Sequence, residues 1–264
     1  TIHRITPFMG NIQYPSPQEM QDMVMMLEKL DRKYDFDVLH GWRIVPAGYI
    51  ACFTAGLRKK KAVVSARGND IARNIYDPGL IAMTLEVLKN AGHVTFVSKD
   101  LMELANNFFD VKAKSCVIHN SFDVSDYVYL KKQPEFDLRG KVIGTCGVMR
   151  RKKGFCYMIE AFMKYMQKND STFFLVGDFI AEESNFYQDL VRPLGKRFQK
   201  TGIVSHKYVL NYMQHIDLFL LTSISEGCAN SMLEAMYLKK PIIATHVGAA
   251  ADLVNDKVNG MLVQ

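Results

Sequence analysis

The chain has 264 residues, 48% apolar and 23% charged, which excludes a low-complexity or disordered polymer and fits one large domain or two of typical size. The net charge of +6 favours anionic ligands mildly, but no long basic tract or nucleic-acid module accompanies it, so no nucleic-acid partner is expected. Five scattered cysteines without a Cys-x-x-Cys pair argue against a disulfide scaffold and make the reducing cytoplasm the expected compartment. No apolar run approaches membrane-spanning length, and no signal peptide is visible.

Residues 1–16 read as a loop. The apolar spacing of Met20, Met23, Met26, Leu27 and Leu30 predicts a helix over 18–32, with the methionines as core filler. Asp35-Phe-Asp37 then precedes a strand at 38–41. An Asp-x-Asp pair can hold a divalent cation, but at a strand entrance no metal site is expected. A helix follows over 45–57 and ends in the basic run Arg58-Lys-Lys-Lys61. Charge at a helix C-terminus explains that run; a peripheral contact with the inner face of the membrane is the secondary reading.

The strand 62–65 delivers Ala66-Arg-Gly-Asn-Asp70. Polar residues directly after a buried parallel strand sit at the ligand edge of a sheet, so Arg67, Asn69 and Asp70 are candidates for a ligand site. A plain ion pair of Arg67 with Asp70 or Asp77 is the structural alternative. A helix over 78–91, a strand over 93–98, a helix over 99–108 and a strand over 115–119 complete a first domain, drawn at 1–125. The polar stretch 126–140, with Pro134 and Gly140, reads as a linker, and 141–264 as a second domain.

That domain opens with a buried strand over 141–148, including Gly147, then the basic turn Met149-Arg-Arg-Lys-Lys-Gly154 and a helix over 155–167. A strand over 172–178 and helices over 184–197 and 208–215 lead to the apolar run Asp217-Leu-Phe-Leu-Leu-Thr222. After it come a loop with Glu226 and Gly227, a helix opening near Asn230 or Ser231, and a strand after Pro241. Strand, polar loop, helix, strand is a βαβ unit, and its ligands bind beside the helix N-terminus, where free N–H groups attract phosphate. Glu226 has no packing role in such a loop. Ser231-x-x-Glu234 is also capping-box sequence, so Glu234 has a structural alternative.

The flanks of the Glu226–Glu234 spacing, Asp217-Leu-Phe-Leu-Leu-Thr-Ser and Glu226-Gly-Cys-Ala-Asn-Ser-Met-Leu-Glu-Ala-Met, resemble the donor-sugar signature of family 4 glycosyltransferases, the glycosyl transferases group 1. Pro241-Ile-Ile-Ala-Thr-His-Val-Gly248 and Val258-Asn-Gly-Met-Leu-Val263 match the next segment of that family. Arg150 and Lys153 resemble its phosphate-binding stretch, with Val148 where the family often places Arg. His119-Asn-Ser-Phe-Asp123 resembles its turn at the end of the N-terminal domain, and Thr201-Gly-Ile-Val-Ser-His-Lys207 its short strand and loop near the nucleobase. Phe179 stands where relatives have a second Gly, and Arg67 where they often have a His beside the reacting sugar. The resemblance therefore implies a catalytic role for Arg67 along with Glu226, Lys153 and Arg150, and an acceptor side formed by Arg67, Asn69 and Asp70.

The resemblance implies an α/β class of the GT-B type: two Rossmann-like domains with parallel sheets and a nucleotide-sugar as co-substrate. It implies transfer to an acceptor hydroxyl on a sugar, a lipid-linked sugar or a small molecule, with retention, no metal and no cofactor. Glu226 would hold sugar hydroxyls, and Glu234 the ribose. Gly227, Cys228, Ala229, Asn230 and Ser231 would face the sugar and diphosphate. Gly147 would line the donor site, and Arg150 and Lys153 would neutralise the leaving group beside it. The usual first strand and glycine-rich loop are expected before Thr1, and the usual final helices after Gln264. If both glutamates were helical, they would stand roughly 12 Å apart, beyond the roughly 5 Å of a retaining hydrolase pair. A sugar-nucleotide epimerase, a phosphorylase and a non-catalytic nucleotide-sugar binding module are the alternative readings.

Overall fold

The first helix, α1 (Pro17–Tyr34), starts where its sequence closes a capping box. Ser16 Oγ accepts from the Glu19 N–H, the Glu19 carboxylate accepts from the Ser16 N–H, and Pro17 takes the first helical position, where a missing N–H carries no penalty. The computed structural model describes residues 15–130 and 136–264, so the reading of residues 1–14 as a loop lies outside the described residues, as does 131–135 of the expected linker. The chain divides into two units, 1–119 and 120–264.

In the first unit, β1 (Val38–Trp42), β2 (Lys61–Ala66), β3 (His93–Phe96) and β4 (Ser115–Val117) form a parallel sheet in that order. The connecting helices are α2 (Tyr49–Leu57), the short α3 (Asn69–Ala72), α4 (Ile81–Asn90) and α5 (Lys99–Asn106). The helix expected from residue 45 begins at Tyr49, because Val45 keeps an extended backbone and Ile44–Gly48 forms a single wide turn. Leu27, Leu39, Ala51, Cys52, Ala55 and Ala62 pack together beneath α1 and α2.

The basic run after α2 has an internal task. Asp31 is fully buried on α1 and receives Arg58 Nε and Lys60 Nζ, each at 2.7 Å. Lys60 also reaches Asp35 at 2.7 Å, so Asp35 of the Asp-x-Asp pair is engaged by an ammonium group. No described helix is long and apolar enough to cross a membrane.

The second unit carries β5 (Lys141–Cys146), β6 (Ser171–Val176), β7 (Phe198–Lys200), β8 (Leu218–Leu221), β9 (Ile242–Thr245) and β10 (Gly260–Val263). They form a parallel sheet in the order β10-β9-β8-β5-β6-β7. Its helices are α6 (Phe155–Met166), α7 (Ser184–Val191), α8 (Val209–Met213), α9 (Asn230–Tyr237) and α10 (Ala249–Leu253). The strand order reverses between β5 and β8, which pair directly. A crevice opens at the carboxyl ends of strands where the order reverses. It receives the two loops singled out in the sequence, the basic turn after β5 and the Glu226 loop after β8. Phe155, Phe162, Phe173, Phe179 and Tyr187 pack in the core of this unit. Phe179 lies 5.3 Å from Tyr187 and 5.5 Å from Phe155, ring to ring, so it serves packing.

Three local readings shift. The helix expected over 184–197 ends at Val191, and Arg192–Arg197 forms tighter turns around Pro193 and Gly195. The short strand expected within 201–207 lies earlier, at β7. Residues 120–130, read as the end of the first domain and the start of the linker, pack on the second unit. There the Val128 N–H reaches Lys207 O at 2.8 Å, and Asn211 brackets Val128 and Leu130 with its side-chain amide.

Arg58, followed by Lys60, holds the Asp31 carboxyl below the ordinary carboxylate range. A carboxyl depressed in the folded state contributes stability that is complete above its unfolded value and is lost as pH falls through the folded one. Asp31→Asn should therefore lower the thermal midpoint at neutral pH, with the gap to wild type closing in acid. Thermal melts across the acidic range check this, and a pH-independent gap would contradict it.

Candidate functional site

Two loops meet at the crevice. The basic turn leaves β5 through Gly147 and Met149, exposes Arg150, and closes at Gly154, whose φ is 64°. The second loop leaves β8 at Thr222. An alanine Cβ at Gly154 would lie 2.0 Å from Thr222 O, so only glycine lets these backbones touch. Thr222 Oγ1 donates to Gly154 O at 3.0 Å, and the Ile224 N–H donates to Lys152 O at 2.8 Å. The loop before α10 supports the other side. A Cβ at Gly248 would lie 2.2 Å from Glu226 O, the Ala249 N–H donates to Gly227 O at 2.7 Å, and Thr245 Oγ1 donates to Ser223 O at 2.6 Å.

This packing sets Lys153 Nζ 2.5 Å from Glu226 Oε2, with both side chains largely buried. Ser223 Oγ adds a longer contact to the same oxygen at 3.4 Å. Arg150 is exposed beside them and forms no ion pair with the described residues. Burial pulls Lys152 below the ordinary lysine range, reinforced by the neighbouring Lys153 and Arg150 and opposed by Glu226. The crevice thus concentrates positive charge next to one carboxylate.

Helix α9 starts at Asn230, and its cap residue is Ala229, which offers no side-chain oxygen. The third helical residue is Met232, so Ser231 and Glu234 form no capping box, and no side chain caps the helix start, which leaves it electropositive. Glu226 belongs to the loop ahead of α9, so an estimate by helical rise does not describe its separation from Glu234. What distinguishes the two carboxylates is their surroundings. Glu234 is 3% exposed; Tyr127 Oη donates to its Oε1 at 2.6 Å, and His206 Nε2 lies 3.1 Å from the same oxygen. Burial, then the bond to Glu234, pushes the Tyr127 hydroxyl up. Burial, then the charge of Glu234, pushes the Cys146 thiol up, which leaves that thiol neutral and without nucleophilic character. Asn120 Nδ2 donates to Cys228 O at 2.8 Å and to Asn230 Oδ1 at 2.9 Å.

Of the residues singled out in the sequence, the structure gathers Gly147, Arg150, Lys153, Glu226 to Ser231 and Glu234 around this crevice. Arg67, Asn69 and Asp70 belong to the first unit. There the Arg67 guanidinium lies over the Trp42 ring at 4.2 Å, and Asn69 is exposed at the start of α3. Asp70 is placed differently from the acceptor-side reading. It is 1% exposed and accepts the Arg67 N–H at 2.9 Å and the Ile44 N–H at 3.1 Å. Burial raises its pKa against the pull of those N–H groups. Its carboxylate ties together the loops after β1 and β2. Tyr127 was not singled out, and Asn120 and His206 stood only within the family-like segments 119–123 and 201–207, with no role of their own. Tyr127 stands in a stretch read as linker, and nothing in its neighbours signals a partner 107 positions later.

The family profile described as Glycosyltransferase Family 4 matches residues 2–126, and that described as Glycosyl transferases group 1 matches residues 140–264. N-acetyl-alpha-D-glucosaminyl L-malate synthase of Bacillus anthracis is 26% identical over 272 residues, covering 100% of this chain and 70% of that protein. 2-Deoxystreptamine N-acetyl-D-glucosaminyltransferase of Niallia circulans is 32% identical over 114 residues, 43% of this chain and 29% of its own length. Among solved structures, Anabaena Alr3699/HepE in complex with UDP superposes with a TM-score of 0.75 at 19% identity, covering 91% of this chain and 68% of that one. That likeness shows the GT-B fold.

The contact of Gly154 with Thr222 yields a direct test of how the crevice is built. Gly154→Ala should cost about 1–3 kcal/mol, as a left-handed non-glycine residue pressed against backbone does. Denaturant melts measure it, and unchanged stability would show that the two loops separate freely.

Proposed function

From the premise that the chain belongs to the glycosyltransferase family 4 and glycosyl transferases group 1, we propose that it moves a sugar from a nucleotide-diphosphate sugar to an acceptor hydroxyl. The donor would bind in the crevice of the second unit. The observation that carries this reading is the Lys153–Glu226 pair at 2.5 Å, set at the switch point beside a helix N-terminus that no side chain caps.

Each part of a nucleotide-diphosphate sugar finds a counterpart there. The diphosphate meets Lys153, the exposed Arg150 and the N–H groups at the start of α9. These neutralise charge as the bond between the sugar carbon and the diphosphate oxygen breaks. Sugar hydroxyls meet the Glu226 carboxylate, and ribose hydroxyls meet Glu234. The acceptor oxygen forms the new bond to the sugar carbon, and its proton passes to an oxygen of the departing phosphate. We read the transfer as retaining and metal-independent. The sugar or lipid-linked acceptor is assigned to the first unit, where Arg67 and Asn69 stand at the carboxyl ends of the strands.

Calorimetric titration tests the assignment, with UDP, which the Anabaena protein holds, as the first nucleotide. Glu234→Gln should weaken binding of the bare nucleotide by about 1.5–3 kcal/mol, the worth of a hydrogen bond to a charged group. Glu226→Gln should weaken the nucleotide-sugar more than the nucleotide. Equal losses for both ligands in both variants would contradict the assignment. Donor binding should also survive a chelator and Asp37→Asn; a strict requirement for Mg²⁺ or Mn²⁺ that Asp37→Asn removes would overturn the metal-independent reading.

A further inference from the structure

We propose that Tyr127 and His206 are positioning residues that orient Glu234 to read the ribose hydroxyls, so that the site selects ribonucleoside over deoxyribonucleoside diphosphates. The inference rests on the reading that Glu234 receives the ribose.

Three groups converge on one carboxylate oxygen. Tyr127 Oη lies 2.6 Å from Glu234 Oε1, His206 Nε2 lies 3.1 Å from that same oxygen, and His206 Nε2 lies 3.1 Å from Tyr127 Oη. Tyrosine has one hydroxyl proton, and the short contact assigns it to the carboxylate. His206 Nε2 then faces two acceptors, so it carries a proton and donates. Among the described residues both donors go to Oε1. Both contacts engage Oε1 and, with the helix that carries the side chain, restrict its rotamer, which leaves Oε2 to a ligand.

Tyr127 is itself held in place. It is buried, its ring packs edge to face on Phe122 at 5.6 Å, and Phe122 packs the same way on Tyr237 at 5.9 Å. Tyr237 lies on α9, one turn beyond Glu234. The His206 ring sits 5.0 Å from the Tyr127 ring. Asn120 fastens the start of this strap to Cys228 and Asn230, and Asn211 fastens its end at Val128 and Leu130. Segment 120–130 is thus anchored on both sides of the tyrosine, which fixes the hydroxyl relative to α9. A buried carboxylate so constrained discriminates by hydroxyl number. A ligand with the ribose diol supplies donors to the second oxygen, and a ligand without them leaves a buried acceptor unpaired.

The experiment is a titration of the intact chain with UDP, GDP and ADP, after which the tightest is compared with its 2′,3′-dideoxy counterpart. Wild type should prefer the ribonucleotide. Glu234→Gln should reduce that preference, and Tyr127→Phe should reduce it roughly tenfold, as loss of a hydrogen bond to a charged group does, with dideoxy affinity unchanged. His206→Gln, at a side chain 60% exposed, should reduce it less, and it decides the matter if Tyr127→Phe does not fold. If Glu234→Gln lowers the preference while Tyr127→Phe and His206→Gln leave it intact, the positioning role is overturned and the ribose reading stands. If Tyr127→Phe weakens both nucleotides equally, the tyrosine is structural only, and the proposal is overturned. If Glu234→Gln leaves the preference intact, or no diphosphate binds, the ribose reading falls and the proposal with it.

Discussion

A side chain on Gly154 would begin 2.0 Å from the carbonyl oxygen of Thr222, and one on Gly248 would begin 2.2 Å from that of Glu226. These two approaches place three loops, from the ends of β5, β8 and β9, in backbone contact at the edge of one parallel sheet. The charged side chains follow from that contact. Lys153 precedes the first glycine, Glu226 contributes the carbonyl under the second, and their 2.5 Å pairing requires both loops to hold their height above the strands. The sheet supplies the rest of the constraint, because β5 and β8 are neighbours with opposite winding on either side.

The two glutamates show how one fold separates two carboxylates by environment. Glu226 faces a lysine at the crevice and is balanced by charge. Glu234 lies within a helix, buried and balanced by neutral or weakly basic donors from Tyr127 and His206. A buried carboxylate without such donors carries a large desolvation penalty, which the strap that brings Tyr127 offsets. The first unit uses the same device elsewhere: Asp31 and Asp70 are buried carboxylates satisfied by Arg58 and Lys60 in one case and by backbone N–H groups in the other.

Much of this was legible in the sequence, and the reasons are physical. Long apolar runs such as 171–176 and 217–222 announce buried parallel strands, and polar residues after them announce the ligand edge. Lys153 and Glu226 could each be singled out on that ground. Their pairing could not, because it depends on glycine contacts between loops some seventy positions apart. The ambiguity at Ser231-x-x-Glu234 was settled by a helix start at Asn230, which moves both residues out of capping positions. Asp70 follows a buried strand as a ligand-edge residue would, and its burial and its bonds to the Arg67 and Ile44 N–H groups depend on the loop after β1, which lies some 26 positions earlier. β7 and α10, three and five residues long, are too short to show a period. Tyr127 was hidden in polar sequence because its partners lie on elements distant along the chain.

The proposed function turns on recognition of a diphosphate by Lys153 and the start of α9. The most direct measurement is the affinity of the chain for UDP against UMP, before and after Lys153→Ala. Wild type should prefer the diphosphate, and Lys153→Ala should remove most of that preference while retaining the monophosphate affinity. Equal affinity for UMP and UDP in wild type, or a preference that survives Lys153→Ala unchanged, would contradict it.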